Sequence, residues 1–335
     1  MDAAKIGSAI QFLRNRAGYT QKELAERLSV SDKAVSRWER GVGIPDISLL
    51  RRLSIILDTD IDSLLEGAVV AHEKAWKGLL YIDKDPSIMI YDKPLSDYLI
   101  SYFLLMTVRD IIVFGEEEYL EYVRNRYNNG ELYGINISCC SIYNGSLSDS
   151  IIHNQDVFAQ SSVAALLSSC VLYGVDLTRF LYRGMISTSC ITALAIVRND
   201  KRSNIRIDSD KKVSYESKNT SIITRYNYSL LPFLFLRNGI KRIKEYSFNS
   251  FIDLSNTLIT NSALSVEMMD KGFVNYDCSN PESVFEAGAF IRLVQKNTGS
   301  IICCPAEIAY RRGMITKSEL TLFAEMKNDQ YLTDL

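Results

Sequence analysis

The spacing of apolar residues changes near residue 76, and the two patterns predict two kinds of domain. Before that point, apolar residues recur every three or four positions in short segments, which is typical of amphipathic helices. After it, short β-rich runs alternate with longer helical patterns, which favours an α/β domain around a largely parallel sheet. We therefore predict an all-α domain over residues 1–68, a linker over 69–76 and an α/β domain over 77–335.

The stretch from Thr20 to Arg40 predicts two short helices joined by a tight turn. Thr20 and Glu23 have the spacing of a capping box, which opens a helix. Ser31 is a suitable N-cap for the second helix. The inward positions of the pair are predicted at Leu24, Ala25, Leu28, Val35 and Trp38. The outer face of the second helix keeps Asp32, Lys33, Ser36, Arg37 and Arg40. This is the pattern of a helix-turn-helix, whose second helix can lie in the major groove.

Three further helices are predicted around this pair. A break at Gly41-Val42-Gly43 and a restart at Pro45-Asp46 separate the pair from the fourth helix, and Asp60 is placed to cap a short fifth one. The apolar stripes are predicted at Ile6, Ile10 and Leu13 in the first helix and at Ile47, Leu50, Leu53 and Leu57 in the fourth.

These residues resemble the Cro/phage-repressor (XRE) family of DNA-binding domains. The resemblance covers roughly Ala4 to Glu66 and rests on TQKELA, the S-V-S turn, the W-E-R-G exit and the downstream P-D-I-S-L-L-R-R-L. It implies a five-helix module that binds double-stranded DNA, with Gln21 on a phosphate and an ion pair between Arg14 and Glu39. The side chains it places against base edges are Asp32, Lys33, Ser36 and Arg37. The alternative is an amphipathic helix pair with an ordinary charged face.

Charge placement agrees with a DNA-binding N-terminal domain. The whole chain has 335 residues and a formal net charge of −2, which excludes a polybasic nucleic-acid binder. Residues 1–55 carry ten Lys and Arg against six Asp and Glu, a local charge of +4. This excess suits a modest phosphate footprint.

Cysteine usage and hydropathy favour a cytoplasmic protein. The chain has seven cysteines and two histidines, and the adjacent pairs Cys139-Cys140 and Cys303-Cys304 have neither disulfide nor zinc-site spacing. We expect reduced thiols and no signal peptide. The most apolar run, Tyr98–Val108, is about half as long as a membrane helix, so we expect no membrane association.

The region 77–335 resembles the glucose-1-phosphate thymidylyltransferase family. The similarity is carried by YDKPLSDYLISYFLLMTVRDIIVF at Tyr91–Phe114, by LYGVDL at Leu172–Leu177 and by Leu264–Leu335, which contains LSVEMMDKGF and CPAEIAYRRGMI. The resemblance implies a Rossmann-like fold with a mainly parallel sheet. It also implies an activity in which a glycine-rich loop holds triphosphate and aspartates hold magnesium.

Most parts of that activity are missing here. Lys77–Ile82 runs directly into Asp83–Ile90, where the family has a G-G-x-G-T-R-L loop and a lysine. Ser168-Ser169-Cys170 replaces the G-D-N motif that carries the first magnesium aspartate, and Ser146–Ser150 replaces the nucleotide-recognising G-L-A-Q-A. The family residues that survive, as a possible residual ligand pocket, are Glu216, Lys218 and Asp277. Asp277 is either a structural hydrogen-bond acceptor or a metal ligand, and Lys218 is either a solvated surface lysine or part of that pocket.

We therefore expect no catalytic residues, no metal and no cofactor. The expected function is a sequence-specific, homo-oligomeric transcription regulator. Its pseudo-nucleotidyltransferase domain serves assembly or the sensing of a sugar nucleotide, with surface polysaccharide synthesis as the setting. The first alternative is an active, magnesium-dependent sugar-1-phosphate nucleotidyltransferase that also represses its own operon. The second is a scaffold that docks onto such an enzyme. Fold alone does not decide among the three.

Overall fold

The structure is a computed structural model. It describes residues 2–17, 19–57, 59, 61–66, 76–154, 163–174, 177–186, 189–198, 205–208, 210–215, 227–237, 246–269 and 272–335. The predicted helix cap Asp60 and most of the predicted linker lie outside these residues, and Trp76 already belongs to the first strand.

The N-terminal domain is a bundle of five helices. Their bounds are α1 (Ala3–Arg16), α2 (Gln21–Leu28), α3 (Asp32–Glu39), α4 (Ile47–Ile56) and α5 (Ile61–Glu66). The positions predicted to face inward in α1, α2 and α3 are all buried in one apolar cluster. The prediction for α4 is wrong at Ile47, which is 82 % exposed, whereas Leu50, Leu53 and Leu57 are buried. Ile47 is the first residue of α4 and lies on its solvent side, whereas Leu49 and Leu50 of the same turn pack against the apolar cluster.

The crossing of α1 and α3 depends on a glycine. A Cβ atom on Gly7 would lie 2.0 Å from the backbone carbonyl oxygen of Trp38, so no larger residue fits there without moving a helix. Gly41 follows α3 with φ of +69°, a left-handed conformation that a side chain disfavours. These two glycines let α1 lie directly on the end of α3.

The second domain is an α/β structure. Its strands are β1 (Trp76–Ile82), β2 (Met89–Ile90), β3 (Lys93–Pro94), β4 (Asp110–Gly115), β5 (Asn136–Ser141), β6 (Val163–Ser168), β7 (Val171–Tyr173), β8 (Ile191–Arg198), β9 (Ile205–Ile207), β10 (Val213–Tyr215), β11 (Asn227–Arg237), β12 (Ser265–Met268) and β13 (Val274–Tyr276). Its helices are α6 (Leu95–Leu105), α7 (Glu117–Tyr127), α8 (Leu147–His153), α9 (Leu177–Ile186), α10 (Phe251–Thr260), α11 (Pro281–Thr298), α12 (Pro305–Arg311), α13 (Lys317–Lys327) and α14 (Gln330–Thr333).

Seven of the described strands form one mainly parallel sheet in the order β12-β8-β11-β6-β1-β4-β5. β1 runs parallel to both β4 and β6, and β4 runs parallel to β5. β12 runs parallel to β8. β11 is antiparallel to both β6 and β8. The chain passes from β1 outward to β4 and β5 and then returns to β6 on the other side of β1, so the strand order reverses between β1 and β6.

Apolar side chains cover both faces of the sheet. In β1, Leu80 and Ile82 face the cluster that contains α6 and the C-terminal helices, and Leu79 faces the cluster of α8 and α10. Both clusters consist of residues from 76 onward, separate from the N-terminal cluster. The apolar run Tyr98–Val108 lies largely in α6, where nearly every residue is buried. Within the described ranges, no helix combines the length and apolar character that a membrane span requires.

Candidate functional site

The N-caps of α2 and α3 and the turn between the two helices fix the position of α3. The N–H of Glu23 donates to the Thr20 hydroxyl at 3.2 Å, and the N–H of Thr20 donates to the Glu23 carboxylate at 2.7 Å. The Thr20 hydroxyl also donates to this carboxylate, at 2.8 Å. The two bonds that the carboxylate accepts, first that from the Thr20 N–H and then that from the hydroxyl, hold the pKa of Glu23 below its usual value. Ser29 adopts a left-handed conformation with φ of 60°, and the Ser31 hydroxyl accepts from the Ala34 N–H at 3.2 Å. The turn therefore has one defined geometry.

A buried carboxylate joins α1, α2 and α3. Arg14 donates from Nε and Nη2 to the two carboxylate oxygens of Glu39, at 2.5 and 3.0 Å. Gln21 donates from Nε2 to Glu39 at 2.7 Å, and Arg14 also donates to the Tyr19 carbonyl at 2.6 Å. The side chains of Arg14 and Glu39 are only 10 % and 2 % exposed. The predicted partners thus lie in contact, and Trp38 is buried beside them.

The outer face of α3 is open to solvent. Asp32, Lys33, Arg37 and Arg40 are exposed and Ser36 is partly exposed. Asp32 accepts the N–H of Lys33 at 2.8 Å, and Arg40 donates to the Ser36 carbonyl at 3.2 Å. A rigid helix that presents exposed lysine and arginine side chains can donate to base edges and phosphates in the major groove.

Gln21, predicted to hold a phosphate, stands at the start of α2 with one amide N–H bound to Glu39. An amide nitrogen carries two N–H groups, so this bond leaves a donor for an anion. The phosphate contact itself, like the base contacts of α3, stays a prediction.

The second site lies where the strand order reverses, at the carboxyl ends of β1 and β6. Open α/β sheets bind ligands in the crevice at such a point. Asp83 follows β1, and its carboxylate accepts the N–H of Ser169, which follows β6, at 3.3 Å. Lys84 donates from Nζ to the backbone carbonyl of Asp277. The two residues that follow β1 therefore bridge this crevice to β6 and to the end of β13.

Asp277 is engaged within its own turn. It accepts from the N–H and the hydroxyl of Ser279 at 3.0 and 2.8 Å. Burial opposes ionisation most strongly, but the bonds from Ser279 and the charge of Lys84 outweigh it and lower the pKa of Asp277. The carboxylate is therefore ionised and already serves as a structural acceptor.

These residues do not fit a magnesium ion. Ser169, which the resemblance places where the family has its first magnesium aspartate, is 3 % exposed, and its hydroxyl has no hydrogen-bond partner among the described residues. A neutral hydroxyl replaces a charged ligand there, and the ammonium of Lys84 stands close to the remaining aspartate. Across the described ranges, no group of three or more His, Cys, Asp or Glu has metal-binding geometry.

The segment at the family's nucleotide-recognition position is used for packing. The Ser146 hydroxyl lies 2.9 Å from that of Ser148 and donates to the Phe248 carbonyl at 3.2 Å. The Ser150 hydroxyl donates to the Ser146 carbonyl and accepts the Tyr143 N–H, both at 2.7 Å. These hydroxyls hold α8 against neighbouring backbone, and a base would have to compete with those bonds.

The predicted residual pocket is only partly described. Asp277 is at the crevice, whereas Glu216 and Lys218 lie outside the described residues. Sequence reasoning assigned no role in the crevice to Asp83 or Lys84. The signal was available, because the shortened loop leaves these two charged residues directly after β1, at the end of a strand where ligands usually bind.

The geometry defines a class of protein: a helix-turn-helix domain of the DNA-binding type, followed by a nucleotidyltransferase-like α/β domain. Residues 10–64 match the family described as Helix-turn-helix. The N-terminal region is 43 % identical over 63 residues to the HTH-type transcriptional activator BcrR of Enterococcus faecalis, covering 19 % of this chain and 31 % of that protein.

The second region is similar to glucose-1-phosphate thymidylyltransferases. The chain is 26 % identical over 256 residues to the Neisseria meningitidis enzyme, covering 72 % of this chain and 87 % of that one. For the Mycolicibacterium smegmatis enzyme, identity is 24 % over 245 residues, with coverage of 70 % and 84 %.

A solved Bacillus anthracis structure described as a glucose-1-phosphate thymidylyltransferase with sucrose has the same fold. Its TM-score is 0.53 at 14 % identity, over 65 % of this chain and 96 % of that one. The chain thus carries an N-terminal XRE-type helix-turn-helix domain and a C-terminal region homologous to glucose-1-phosphate thymidylyltransferase.

Proposed function

We propose that the protein is a cytoplasmic, sequence-specific DNA-binding transcription regulator. The observation that carries this proposal is α3, held rigidly by the Glu39 network while Lys33, Ser36 and Arg37 face outward. The local charge of +4 and the similarity to a transcriptional activator support it.

We further propose that the α/β domain assembles the regulator, senses a sugar nucleotide, or does both, without transferring nucleotides. The shortened loop after β1 has lost the glycine-rich backbone that would cradle phosphates, and Asp85 now accepts from the Ser87 N–H and hydroxyl within it. An acidic side chain at this place repels phosphate. The relatives' names connect the fold to glucose 1-phosphate, so we propose nucleotide sugars as effectors and surface polysaccharide synthesis as the setting.

Binding to DNA is tested by mapping bound sites across the genome of the source organism and titrating the recovered sequence at fixed salt. We expect an inverted repeat with half-sites about one helical turn apart. Arg37→Ala should weaken binding by about 1–3 kcal/mol and relax preference at one base position. Gln21→Ala should weaken all sequences alike.

The matched control is Arg51→Ala, because Arg51 is an exposed arginine on α4, outside the recognition helix. It removes the same charge and should leave base preference unchanged. If Arg37→Ala retains both the affinity and the base preference of the parent protein, the proposed docking of α3 is wrong.

Catalysis is tested by release of pyrophosphate from thymidine or uridine triphosphate with a hexose 1-phosphate and magnesium. We expect none, because the loss of a single transition-state donor already costs about 3–4 kcal/mol, and here a whole phosphate cradle is missing. Turnover that vanishes in Asp277→Ala would establish the alternative, an active enzyme that also regulates its own operon.

Sensing is tested in parallel by thermal shift with thymidine and uridine diphosphate sugars. A shift of the melting transition, together with a change in DNA affinity, supports an effector role, since a ligand moves an equilibrium only when it prefers one state. No turnover and no shift would leave assembly, or docking onto a sugar-nucleotide enzyme, as the role of this domain.

A further inference from the structure

The outer face of α11 is exposed along its whole length. It consists of Ala289 and the six exposed residues that lie three, four and seven positions to either side of it: Glu282, Phe285, Glu286, Arg292, Leu293 and Lys296. Phe285 is 76 % exposed and Leu293 is 58 % exposed. Exposed apolar side chains that lie together on one surface are a feature of interaction sites.

The sequence of this α11 face is self-complementary about Ala289. Glu286 and Arg292 lie three residues before and after Ala289, and Phe285 and Leu293 lie four before and after it. Glu282 and Lys296 lie seven before and after it. When two identical helices cross antiparallel with Ala289 at the two-fold axis, each acidic residue meets a basic one and each apolar residue meets an apolar one.

We propose that two copies of this chain associate through the α11 face as an antiparallel helix pair, with the two-fold axis at Ala289. The small side chain of Ala289 allows the two backbones to approach closely at the axis. Symmetry then forms every pair twice, so the contact contains two Glu286–Arg292 pairs, two Glu282–Lys296 pairs and two Phe285–Leu293 contacts.

A groove lies beside α11, next to the proposed two-fold axis. This groove of about 950 Å³ lies between α11 and β2, lined by Tyr91, Ala289, Leu293 and this chain's own Phe285 among others. Met89 and Tyr91 on its far wall are 56 % and 48 % exposed. The partner's Phe285, which faces Leu293 in this arrangement, enters the groove. The contact therefore extends beyond the single helix, about 27 Å long.

The charges alone have a simpler explanation. Acidic residues early and basic residues late in a helix complement its dipole, so Glu282, Glu286, Arg292 and Lys296 could serve α11 by itself. The helix dipole does not explain why the exposed apolar residues Phe285 and Leu293 lie at equal distances from Ala289. The coincidence of charge and apolar positions about one residue is what favours a second copy as the partner.

This inference goes beyond the proposed regulation and does not depend on DNA binding. A two-fold pair of α/β domains would bring two helix-turn-helix domains into one particle, which suits an inverted repeat. If the α11 dimer forms and no DNA is bound, the proposed function fails alone. If the protein binds DNA but its oligomeric state does not change when α11 is altered, the α11 dimer is wrong and the proposed function stands.

The test uses the full chain and two charge reversals, with size measured by sedimentation velocity over a concentration series. We expect the unaltered protein to be a dimer. Glu286→Arg alone places four arginines at the axis, and Arg292→Glu alone places four glutamates there. Each should raise the dimer dissociation constant about tenfold or more. An equal mixture of the two variants should form dimers again, since the introduced arginine of one chain then meets the introduced glutamate of the other, and the retained Arg292 meets the retained Glu286.

Combining Glu286→Arg with Arg292→Glu in one chain should also restore the dimer. Glu325→Arg, an exposed reversal on α13, is the matched control and should change nothing. Circular dichroism checks that every variant is folded. A monomeric unaltered protein, a dimer insensitive to the single reversals, or a mixture that stays monomeric would each overturn the proposal.

Discussion

At the scale of single residues, Trp38 is part of the apolar core of the N-terminal domain. Its ring is 7 % exposed, and it lies next in sequence to Glu39, whose carboxylate receives Arg14 and Gln21. Removing the ring would leave a cavity where α1, α2 and α3 meet. We expect Trp38→Ala to lower the free energy of unfolding of this domain by about 3–5 kcal/mol, measured by chemical denaturation of the full chain followed by circular dichroism.

The control for this change is Val42→Ala, because Val42 is also apolar but 62 % exposed. It should alter stability by less than about 0.5 kcal/mol. Equal effects of the two substitutions would contradict the assignment of Trp38 to the core.

At the scale of elements, the contact between α1 and α3 depends on the absence of a side chain at Gly7. Alanine is the better helix former, so propensity alone predicts that Gly7→Ala stabilises the protein by about 1 kcal/mol. The new Cβ would instead lie 2.0 Å from the Trp38 carbonyl. We expect the clash to win and the substitution to destabilise the domain by about 1–3 kcal/mol, seen as a lower melting temperature.

Gly43→Ala is the matched comparison, because a Cβ at Gly43 meets no atom within 4 Å. It should be neutral or slightly stabilising. A melting temperature that rises in Gly7→Ala would show that α1 and α3 are farther apart than the structure places them.

At the scale of the whole molecule, the buried thiols predict that stability depends on alkaline pH. The seven cysteines are free, and burial raises the pKa of Cys278 and Cys304 to about 11 and of Cys303 to about 12. An unfolded thiol ionises near pH 8.5, so the unfolded chain releases these protons first. Their contribution to stability is fully present below about pH 8.5 and is lost as the pH rises toward the folded values.

We therefore expect the free energy of unfolding, measured with urea, to fall between about pH 8.5 and pH 11. Cys278→Ala should flatten this pH dependence, whereas Cys190→Ala should not, because Cys190 is exposed. A pH profile that is unchanged in Cys278→Ala would show that this thiol is accessible to solvent.

Much of the N-terminal domain was predictable because its determinants are local in sequence. The capping box of Thr20 and Glu23 spans one helical turn, and the buried faces of α1, α2 and α3 follow from 3.6-residue spacing. Ile47 has the same spacing and is nevertheless exposed. Its burial would require another element to pack over it, and the sequence of the helix does not contain that information.

In the α/β domain, local patterns predicted fewer features. By composition alone, the run Val163–Val171 fits a buried strand or a buried helix, and the structure divides it between β6 and the start of β7. The residues of Arg206–Tyr215 are strand-like along the sequence, but β9 and β10 are two separate short strands that pair antiparallel. Local patterns did not predict the strands β2, β3, β11, β12 and β13 or the helices α8, α9, α10, α12 and α14. Composition cannot separate such alternatives, because buried helices and strands use the same residues.

The sequence by itself determined that a helix-turn-helix domain precedes an α/β domain, and that the phosphate loop and one magnesium aspartate are missing. Capping residues, periodicity and absent motifs are all local properties. Only the tertiary structure decided which residues fill the crevice at the carboxyl ends of β1 and β6. Asp83 accepts the N–H of Ser169 there, and Lys84 donates to the carbonyl of Asp277, 193 residues away in the sequence. Those contacts exist because β1, β6 and β13 end in one region of the fold, and the packing of distant strands is a property of the folded chain that no single segment contains.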